Sequence, residues 1–413
     1  MSKYHSVSLT LFISLFHAFL LPNQCISQIL PSLRAVHAKK GSSLPEQSSS
    51  LTFDGSNDKI TTTGTLDNLS GFSLELWLYP HSAASSMAII GENNLIEFGF
   101  GSASSLRIWT NDGNAKSWSF NSTTFPFNTW HHIVAVGDAT SYPHLKIYVN
   151  GELKASGGSN PGNTFGVGHN PTNYTIYIAK TVWGTTDKYY DGSMDEIRIW
   201  NSARTLEEIK SNMFKHLDGD ESNLQAYFKM SSASGTTLED NSPNSNNGTI
   251  SGASWGTNYV PLGDLLTAYQ TDMEGLWEAS GTTASQESDG LSMSVGSTLA
   301  EANFAIFGNN NTTGTSTSDL PSGESLQKRS SREWQVDEIG TVSASVVIDI
   351  SDATGNSVSP AAATNYKLLY KSCTECDFTV KATGASSSDD IITFSNVALQ
   401  DGFYAIASTD SNL

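Results

Sequence analysis

The sequence predicts an all-β protein made of two β-sandwiches, and three observations support this prediction. Only 15% of the 413 residues are charged, while serine, threonine, asparagine and glycine are abundant, as in short strands joined by polar turns. Apolar and polar residues alternate over many short segments, which is the period of a β-strand. The composition and the hydrophobic pattern change near Leu51 and again near Leu262. A chain of this length is expected to contain two domains.

The N-terminus has the pattern of a removed signal peptide. A weakly basic start precedes a short apolar run from Val7 to Leu21, and small residues at Cys25 and Ser27 precede a cleavage point before Gln28. The alternative is that the run is retained as an anchor. After cleavage no transmembrane segment is expected, so the protein is predicted to be secreted or held at the cell surface. The predicted segments are a signal peptide at 1–27, a Ser-rich linker at 28–50, a first sandwich at 51–258 and a second at 262–413.

The first sandwich is organised around a predicted hairpin from Trp130 to Leu153. Asn150-Gly151 supplies the positive φ angles of a tight turn, so the chain reverses there. The period of two assigns one set of side chains to the inward face of this hairpin: Trp130, His132, Val134, Val136, Leu145, Ile147 and Val149.

An earlier strand from Phe72 to Tyr79 has two distinct faces. Phe72, Leu74, Leu76 and Leu78 share one face, which predicts burial in the core. The other face is polar and aromatic and is predicted to be displayed. It carries Ser73, Glu75, Trp77 and Tyr79.

The other strands of this sandwich follow at short intervals, with one helix predicted to begin at Thr205, where acids occupy the first turn. The segment from Leu224 to Trp255 is expected to supply the last strands. The predicted strands are Ala88 to Gly91, Leu95 to Phe100, Leu106 to Thr110, Ser117 to Phe120, Tyr174 to Lys180 and Ser193 to Trp200.

The order of six motifs resembles the laminin-G-like, concanavalin A-like jelly roll of bacterial surface proteins, with pentraxins as distant relatives. This resemblance covers about half of the chain. It implies two antiparallel sheets packed face to face, as the alternating strands also require. The motifs are LTFDGSND, FSLELWLYP, WHHIVAV, LKIYVNGEL, YDGSMDEIRIWNSARTLEEI and AYFKM with NNGTISGASW.

The second, smaller sandwich is similar to an all-β module of large secreted proteins from gliding-type bacteria. Three motifs carry this similarity: Ala305 to Gly308, Arg332 to Val336 and Asp401 to Tyr404. This module has no established biochemical function that the similarity could imply for this chain. The predicted strands here also include Ser343 to Ile350, Tyr366 to Tyr370, Ile391 to Val397 and Phe403 to Ala407.

Charge and motif content exclude several functions. The formal net charge of −19 disfavours nucleic acid, because phosphate binding needs a basic face. A retaining glycosidase needs two carboxylates about 5 Å apart. Glu75 stands alone on its strand face, and Asp195 and Glu196 are neighbours that should point to opposite faces. His131 and His132 likewise cannot bind one metal ion together. No catalytic residues are therefore predicted.

Calcium is the one cofactor that the sequence suggests. The resemblance places Gly91 to Asn94 where pentraxins hold a calcium-binding Asp-Asn pair, but the later loop carries no carboxylate before Asp187. A different, structural calcium is predicted at Asp54, Asp58 and Asp195. The alternative is that these acids cap turns and hold Arg198 or Lys59.

Carbohydrate binding needs an exposed aromatic platform with amide and carboxylate partners. The predicted ligand-binding residues are Glu75, Trp77, Asn93, Asn94 and Trp183, and Trp183 is singled out because it lies in a Gly/Thr loop. Other aromatic candidates are Tyr79, Trp109, Trp118, Tyr148 and Tyr177, whereas Trp130 is assigned to the core.

Cys373 and Cys376 are expected to form a tight local disulfide, with two free thiols as the alternative. A single CxxC is half of a four-cysteine zinc site, and no second pair completes it.

The sequence thus predicts a non-catalytic adhesion or recognition protein. Its expected partner is a glycan or an extracellular protein, with calcium as a structural ion. The alternatives are a polysaccharide hydrolase or lyase on the same scaffold, and a structural spacer in a surface assembly.

Overall fold

The structure, a computed structural model, describes residues 49–64, 66–167, 175–183, 186–257, 259–278, 286–411 and 413. Residues Ser42–Leu413 form one compact unit, and a second unit, Met1–Gly41, lies outside the described residues. The predicted signal peptide and nearly all of the predicted linker also lie outside them. Ser49 and Ser50 are buried, and the first strand already begins at Ser50.

The N-terminal sandwich consists of two antiparallel sheets. Sheet A has the strand order β10-β9-β8-β3-β14-β1-β18, and β15 also pairs with β14. Its strands are β1 (Ser50–Asp54), β3 (Gly71–Pro80), β8 (His131–Asp138), β9 (Leu145–Val149), β10 (Glu152–Gly157), β14 (Asp191–Trp200), β15 (Leu224–Phe228) and β18 (Ser254–Gly256).

Sheet B has the order β16-β17-β2-β11-β4-β5-β6-β7. A separate hairpin, β12 (Lys180–Trp183) with β13 (Thr186–Tyr189), follows β11. The strands of sheet B are β2 (Lys59–Thr63), β4 (Met87–Glu92), β5 (Ile96–Ser102), β6 (Ser105–Thr110), β7 (Ala115–Ser119), β11 (Thr175–Ile178), β16 (Thr237–Leu238) and β17 (Gly248–Ser251).

The main core lies between these two sheets, as the alternation predicts. Phe72, Leu74, Leu76 and Leu78 of β3 are fully buried there. The hairpin is also confirmed, with Asn150 at φ 51° and Gly151 at φ 73°. The face assigned to β8 is wrong, however: Ile133 and Ala135 enter this core, while Val134 and Val136 lie on the opposite face of sheet A.

Helix α1 (Leu206–Met213) covers that opposite face. Thr205 caps it, accepting a hydrogen bond from the Glu208 backbone N–H while the Glu208 side chain accepts one from the Thr205 N–H. Ile209 packs against Val134, Val136 and Tyr148. A helix therefore buries a sheet face that the strand pattern alone leaves open.

The C-terminal sandwich follows the same plan. Sheet C has the order β19-β22-β25-β31-β24-β23, with β27 on β31 and β28 on β27, and sheet D has the order β20-β21-β26-β30-β29. Its strands are β19 (Thr271–Leu276), β20 (Gln286–Ser288), β21 (Leu291–Ser294), β22 (Phe304–Asn309), β23 (Thr315–Ser316), β24 (Lys328–Ser330), β25 (Trp334–Ile339), β26 (Ser343–Asp349), β27 (Tyr366–Lys371), β28 (Thr379–Thr383), β29 (Ser386–Ser388), β30 (Ile391–Ala398) and β31 (Gly402–Ser408). Short helices lie at Thr267–Tyr269, Ile350–Thr354 (α2) and Ala363–Asn365.

An aromatic cluster joins the two sandwiches. The ring centroids of Trp77 and Trp277 are 6.0 Å apart, and those of Phe214 and Trp277 are 5.5 Å apart. Trp277 Nε1 donates to the Trp130 carbonyl at 3.0 Å. We call this set the junction cluster: Trp77, Trp130, Met213, Phe214, Val260, Leu265, Met273, Trp277, Phe304 and Ile306.

Candidate binding site

The predicted display face of β3 is buried, which corrects the assignment of Glu75 and Trp77 as ligand-binding residues. Glu75 is 1% exposed and Trp77 is fully buried. Trp77 Nε1 donates to the Met213 carbonyl at 2.9 Å, and its ring lies in the junction cluster. Helix α1, the residues after it and the C-terminal sandwich cover this face, so no ligand reaches either side chain.

Glu75 instead anchors a buried polar network. Its Oε1 accepts from Arg198 Nη1 at 2.9 Å and lies 3.1 Å from His132 Nε2, and its Oε2 accepts from Trp200 Nε1 at 2.9 Å. Burial alone would raise the pKa of Glu75, but the Arg198 guanidinium, followed by His132 and Trp200, lowers that pKa to about 2. A carboxylate this well satisfied is a structural group.

The network continues to Glu196, beyond reach of solvent. Glu196 Oε2 accepts from Arg198 Nη2 at 2.8 Å, and its Oε1 accepts from Tyr227 Oη at 2.9 Å and lies 2.7 Å from His216 Nδ1. Arg198 also donates to the Asn212 and Lys215 carbonyls, at 3.0 and 2.6 Å. These bonds fix the segment after α1 onto sheet A.

The paired histidines and paired acids of the sequence are both buried. His131 stacks on Phe125 with ring centroids 4.0 Å apart, and burial lowers its pKa to about 4. Asp195 and Glu196 do not simply alternate, because the register of β14 shifts here and Glu196 adopts φ 51°. Burial and the neighbouring Glu196 hold the pKa of Asp195 well above its usual range.

The predicted calcium ligands do not meet, which corrects the grouping of Asp54, Asp58 and Asp195. Asp54 and Asp58 share one turn, where the Asp54 backbone N–H donates to Asp58 Oδ2 at 3.0 Å. On β14, the residue that pairs with Asp54 is Asp191. Asp195 lies four residues further along the same strand and pairs with Trp77 of β3. In the part of the chain that the structure describes, no three His, Cys, Asp or Glu side chains are close enough to hold a metal ion.

Cys373 and Cys376 are joined in a disulfide within the turn after β27. The turn is closed by the Cys376 N–H, which donates to the Cys373 carbonyl at 3.1 Å. This bond lies in the C-terminal sandwich and stabilises a local turn.

A groove crosses the outer face of sheet B, and glycines form its floor. Gly91 of β4 and Gly99 of β5 face outward, since Phe98 and Phe100 face the core. A side chain at Gly91 would come within 2.3 Å of the Ile96 carbonyl, and one at Gly99 within 2.5 Å of the Met87 carbonyl. Only glycine fits these positions, and its small size leaves room above the sheet. The groove is lined by Ser86, Met87, Ala88, Ile90, Gly91, Glu97, Phe98, Gly99, Phe100, Gly101, Arg107, Trp109, Lys180 and Thr181.

An aromatic and a carboxylate lie side by side in this groove. Trp109 of β6 is directly opposite Glu97 of β5, and both are half-buried. Tyr177 of β11 continues the same row through Gly91, about 14 Å from Trp109 at the usual strand spacing. The Lys180 ammonium lies 5.1 Å from the centre of the Tyr177 ring and 3.0 Å from Asp187 Oδ2.

The predicted residues Asn93 and Asn94 lie at one end of this groove. The Asn94 N–H donates to Glu97 Oε1 at 2.7 Å, and Thr181 Oγ1 donates to Asn93 Oδ1 at 3.4 Å. Burial raises the pKa of Glu97, although the Asn94 N–H, Thr181 and Arg107 oppose that shift. The turn that contains both asparagines therefore orients the one carboxylate among the lining residues.

Trp183 ends β12, whose first residues Lys180 and Thr181 line the groove. Its backbone pairs with Thr186 across the hairpin, and its side chain lies outside the described part of the structure. Tyr148 is buried under α1 and Trp118 packs against the main core, so neither offers an open platform.

Trp109 and Tyr177 were predicted only as general aromatic candidates, Gly91 only as part of a pentraxin-like segment, and Gly99 and Arg107 were not predicted. The available signal was the run of glycines inside β4 and β5, because a glycine within a strand often marks a close backbone approach or a binding surface.

Two families match the chain, one for each sandwich. Residues 54–210 match a laminin-G family described as Concanavalin A-like lectin/glucanases superfamily. Residues 274–403 match a domain of unknown function (DUF8202). The predicted jelly-roll resemblance of the first sandwich is thereby confirmed.

Several solved structures are similar to this chain at low sequence identity. A candidate carbohydrate binding protein from Bacteroides ovatus ATCC 8483 is 21% identical over 52% of this chain and 61% of its own, with a TM-score of 0.44. A pentraxin from Limulus polyphemus is 13% identical over 40% of this chain and 81% of its own, with a TM-score of 0.30. Domain 4 of an extracellular arabinanase from Geobacillus stearothermophilus, in complex with arabinotriose, is 22% identical over 39% of this chain and 74% of its own, with a TM-score of 0.28.

Among curated proteins, none matches the sequence of this chain. Within the described residues, no helix combines the length and the apolar character needed to cross a bilayer.

Proposed function

We propose that this chain binds a glycan in the groove on sheet B without cleaving it. Its residues 54–210 match the concanavalin A-like lectin/glucanases superfamily. The observation that carries the proposal is the glycine-floored groove with Trp109 opposite Glu97. The apolar face of a sugar ring stacks on an indole, and its hydroxyls bond to carboxylates, amides and hydroxyls. Glu97 supplies such a group opposite the indole, and Thr181 and Asn93 supply others at the end of the groove.

Binding is favoured over hydrolysis by the positions of the carboxylates. Glycosidases use a pair of them, about 5 to 9 Å apart, around the scissile bond. Glu97 is the one carboxylate among the described residues that line the groove. The other grouped acids, Glu75, Asp195 and Glu196, are buried at or below 1% exposure. A substrate bound over Trp109 therefore meets no acid/base pair there.

The proposal is tested with a glycan array probed by the wild-type chain, a Trp109→Ala variant and a Trp255→Ala variant as the matched control. Trp255 is a half-buried tryptophan on β18, away from the groove. We expect the wild type and the control to bind the same glycans and Trp109→Ala to lose them, because stacking on an indole contributes about 1 kcal/mol or more. Equal binding by all three, or no binding at all, would refute the groove as a glycan site.

Two arms of the same experiment examine the remaining predictions. Incubation of the bound glycan with the protein, followed by product analysis, checks for cleavage, and none is expected. Repeating the array with calcium and with EDTA tests whether the predicted structural calcium assists binding. Calcium stays a prediction, as do secretion and surface attachment.

A further inference from the structure

Arg107 lies in the groove near Trp109, where it could contact a substituent of a glycan bound there. It lies on the outer face of β6, two residues before Trp109 and therefore about 7 Å from it along the strand. It is directly opposite Gly99 and lines the groove. A methyl group at Gly101 would approach the Arg107 Cβ and Cδ atoms to 3.1 and 3.3 Å, so the aliphatic part of Arg107 lies close over Gly101.

Arg107 differs from the other described arginines in having no carboxylate at ion-pair distance. Arg198, Arg204, Arg329 and Arg332 each pair with an Asp or Glu at 2.8 to 3.3 Å. Its backbone pairs with Gly99 and Ser117, but its guanidinium makes no hydrogen bond or ion pair to another described residue. In a chain with 41 acidic and 22 basic residues, a guanidinium without such a partner stands out.

The acid nearest in the groove is already occupied. Glu97 accepts a hydrogen bond from the Asn94 N–H at 2.7 Å and is bonded by the Thr181 side chain. Lys180, the other cation of the groove, pairs with Asp187. The groove thus contains one guanidinium whose donors are not used internally, beside an aromatic platform.

We infer that the groove prefers a glycan that carries an anionic group, whose carboxylate or sulfate pairs with Arg107 while its ring stacks on Trp109. This inference rests on the proposed function of the groove. A guanidinium presents its N–H donors in a planar fork that matches two oxygens of a carboxylate or sulfate, which adds direction as well as charge. Neutral sugars would use only part of this site.

The test uses an array in which each glycan is present in matched forms: glucose or galactose oligosaccharides with the corresponding uronic acid oligosaccharides, and sulfated galactans with their desulfated forms. The wild type is compared with Arg107→Gln, Arg107→Lys and Lys146→Gln. Lys146 lies on β9 of sheet A, so Lys146→Gln removes the same charge away from the groove.

We expect the wild type and Lys146→Gln to bind the anionic member of a pair about tenfold more tightly, which is the lower end of what a hydrogen bond to a charged group contributes. Arg107→Gln should lose that preference and keep neutral binding, and Arg107→Lys should keep part of it. A preference for uronic acids alone or for sulfated forms alone identifies the anion.

Trp109-dependent binding without an anionic preference, or an unchanged preference in Arg107→Gln, would overturn the inference and leave the proposed function intact. Absence of binding to every glycan would refute both.

Discussion

Glu278 is a buried acid at the junction between the sandwiches, and its charge depends on pH near neutrality. It is 8% exposed, and its Oε1 accepts from the Trp130 N–H at 2.9 Å. Burial raises the pKa of Glu278 from 4.5 to about 7; Glu301 raises it further, while the Trp130 N–H opposes the shift. The folded protein therefore holds a proton on Glu278 at a pH where the unfolded chain has released it.

This shift predicts a loss of stability as the pH rises. The folded-state pKa lies above the unfolded value, so the stabilisation is complete below about pH 4.5 and is lost as the pH rises through about 7. Glu278→Gln keeps an acceptor oxygen for Trp130 and removes the charge. We expect it to raise the free energy of unfolding at about pH 8 by up to about 3 kcal/mol, and by much less at about pH 5.

Denaturant unfolding at both pH values measures the effect. Glu152→Gln is the control, because its exposed carboxylate lies on β10, away from the junction. An equal effect of Glu278→Gln at both pH values would contradict the assigned pKa shift.

Glu75 and Trp77 show that a strand pattern does not reveal whether the second face of a sheet is buried. Their alternation with Leu74 and Leu76 correctly predicted that they share the face opposite the main core. Whether that face meets solvent depends on α1 and on residues about 200 positions later, such as Trp277. Alternation assigns faces, whereas burial of the second face is set by distant parts of the chain.

The junction cluster holds two sandwiches that each have their own core. Trp277 follows β19 and contacts Trp77 and Phe214, while Lys210 of α1 pairs with Glu274 of β19 at 2.9 Å. Trp277→Ala should remove about 3 to 5 kcal/mol, the usual cost of truncating a buried tryptophan. We expect the wild type to unfold in one calorimetric transition and Trp277→Ala to separate into two.

The control for this experiment is Trp255→Ala, which removes an indole outside the junction cluster. It should lower the Tm and leave a single transition. Two transitions in the wild type, at temperatures that Trp277→Ala does not change, would show that the junction does not couple the sandwiches.

Individual elements were predicted well because their signals are local. The capping box at Thr205 and the Asn-Gly turn at Asn150 formed as expected. In the second sandwich, β22, β25, β26 and β31 closely match the predicted strands. The register shift at Glu196 was not foreseen, because a bulge depends on the partner strand and leaves no fixed local pattern.

Groupings across the fold were harder to predict than elements. The sequence placed Asp195 with Asp54 and Asp58, but the β1–β14 register separates them. Conversely, Asn93 and Asn94 do adjoin the groove, because the turn between β4 and β5 closes beside Glu97. Because α1 and the C-terminal sandwich cover the outer face of sheet A, we place the proposed glycan site in the groove on sheet B.

A co-crystal structure of the full chain with a glycan selected on the array is the most direct test of glycan binding in the groove. We expect a sugar ring stacked on Trp109, hydroxyl contacts to Glu97 or Asn93, and an anionic substituent at Arg107. A glycan bound to the C-terminal sandwich or to sheet A, with the groove of sheet B containing only solvent, would contradict it.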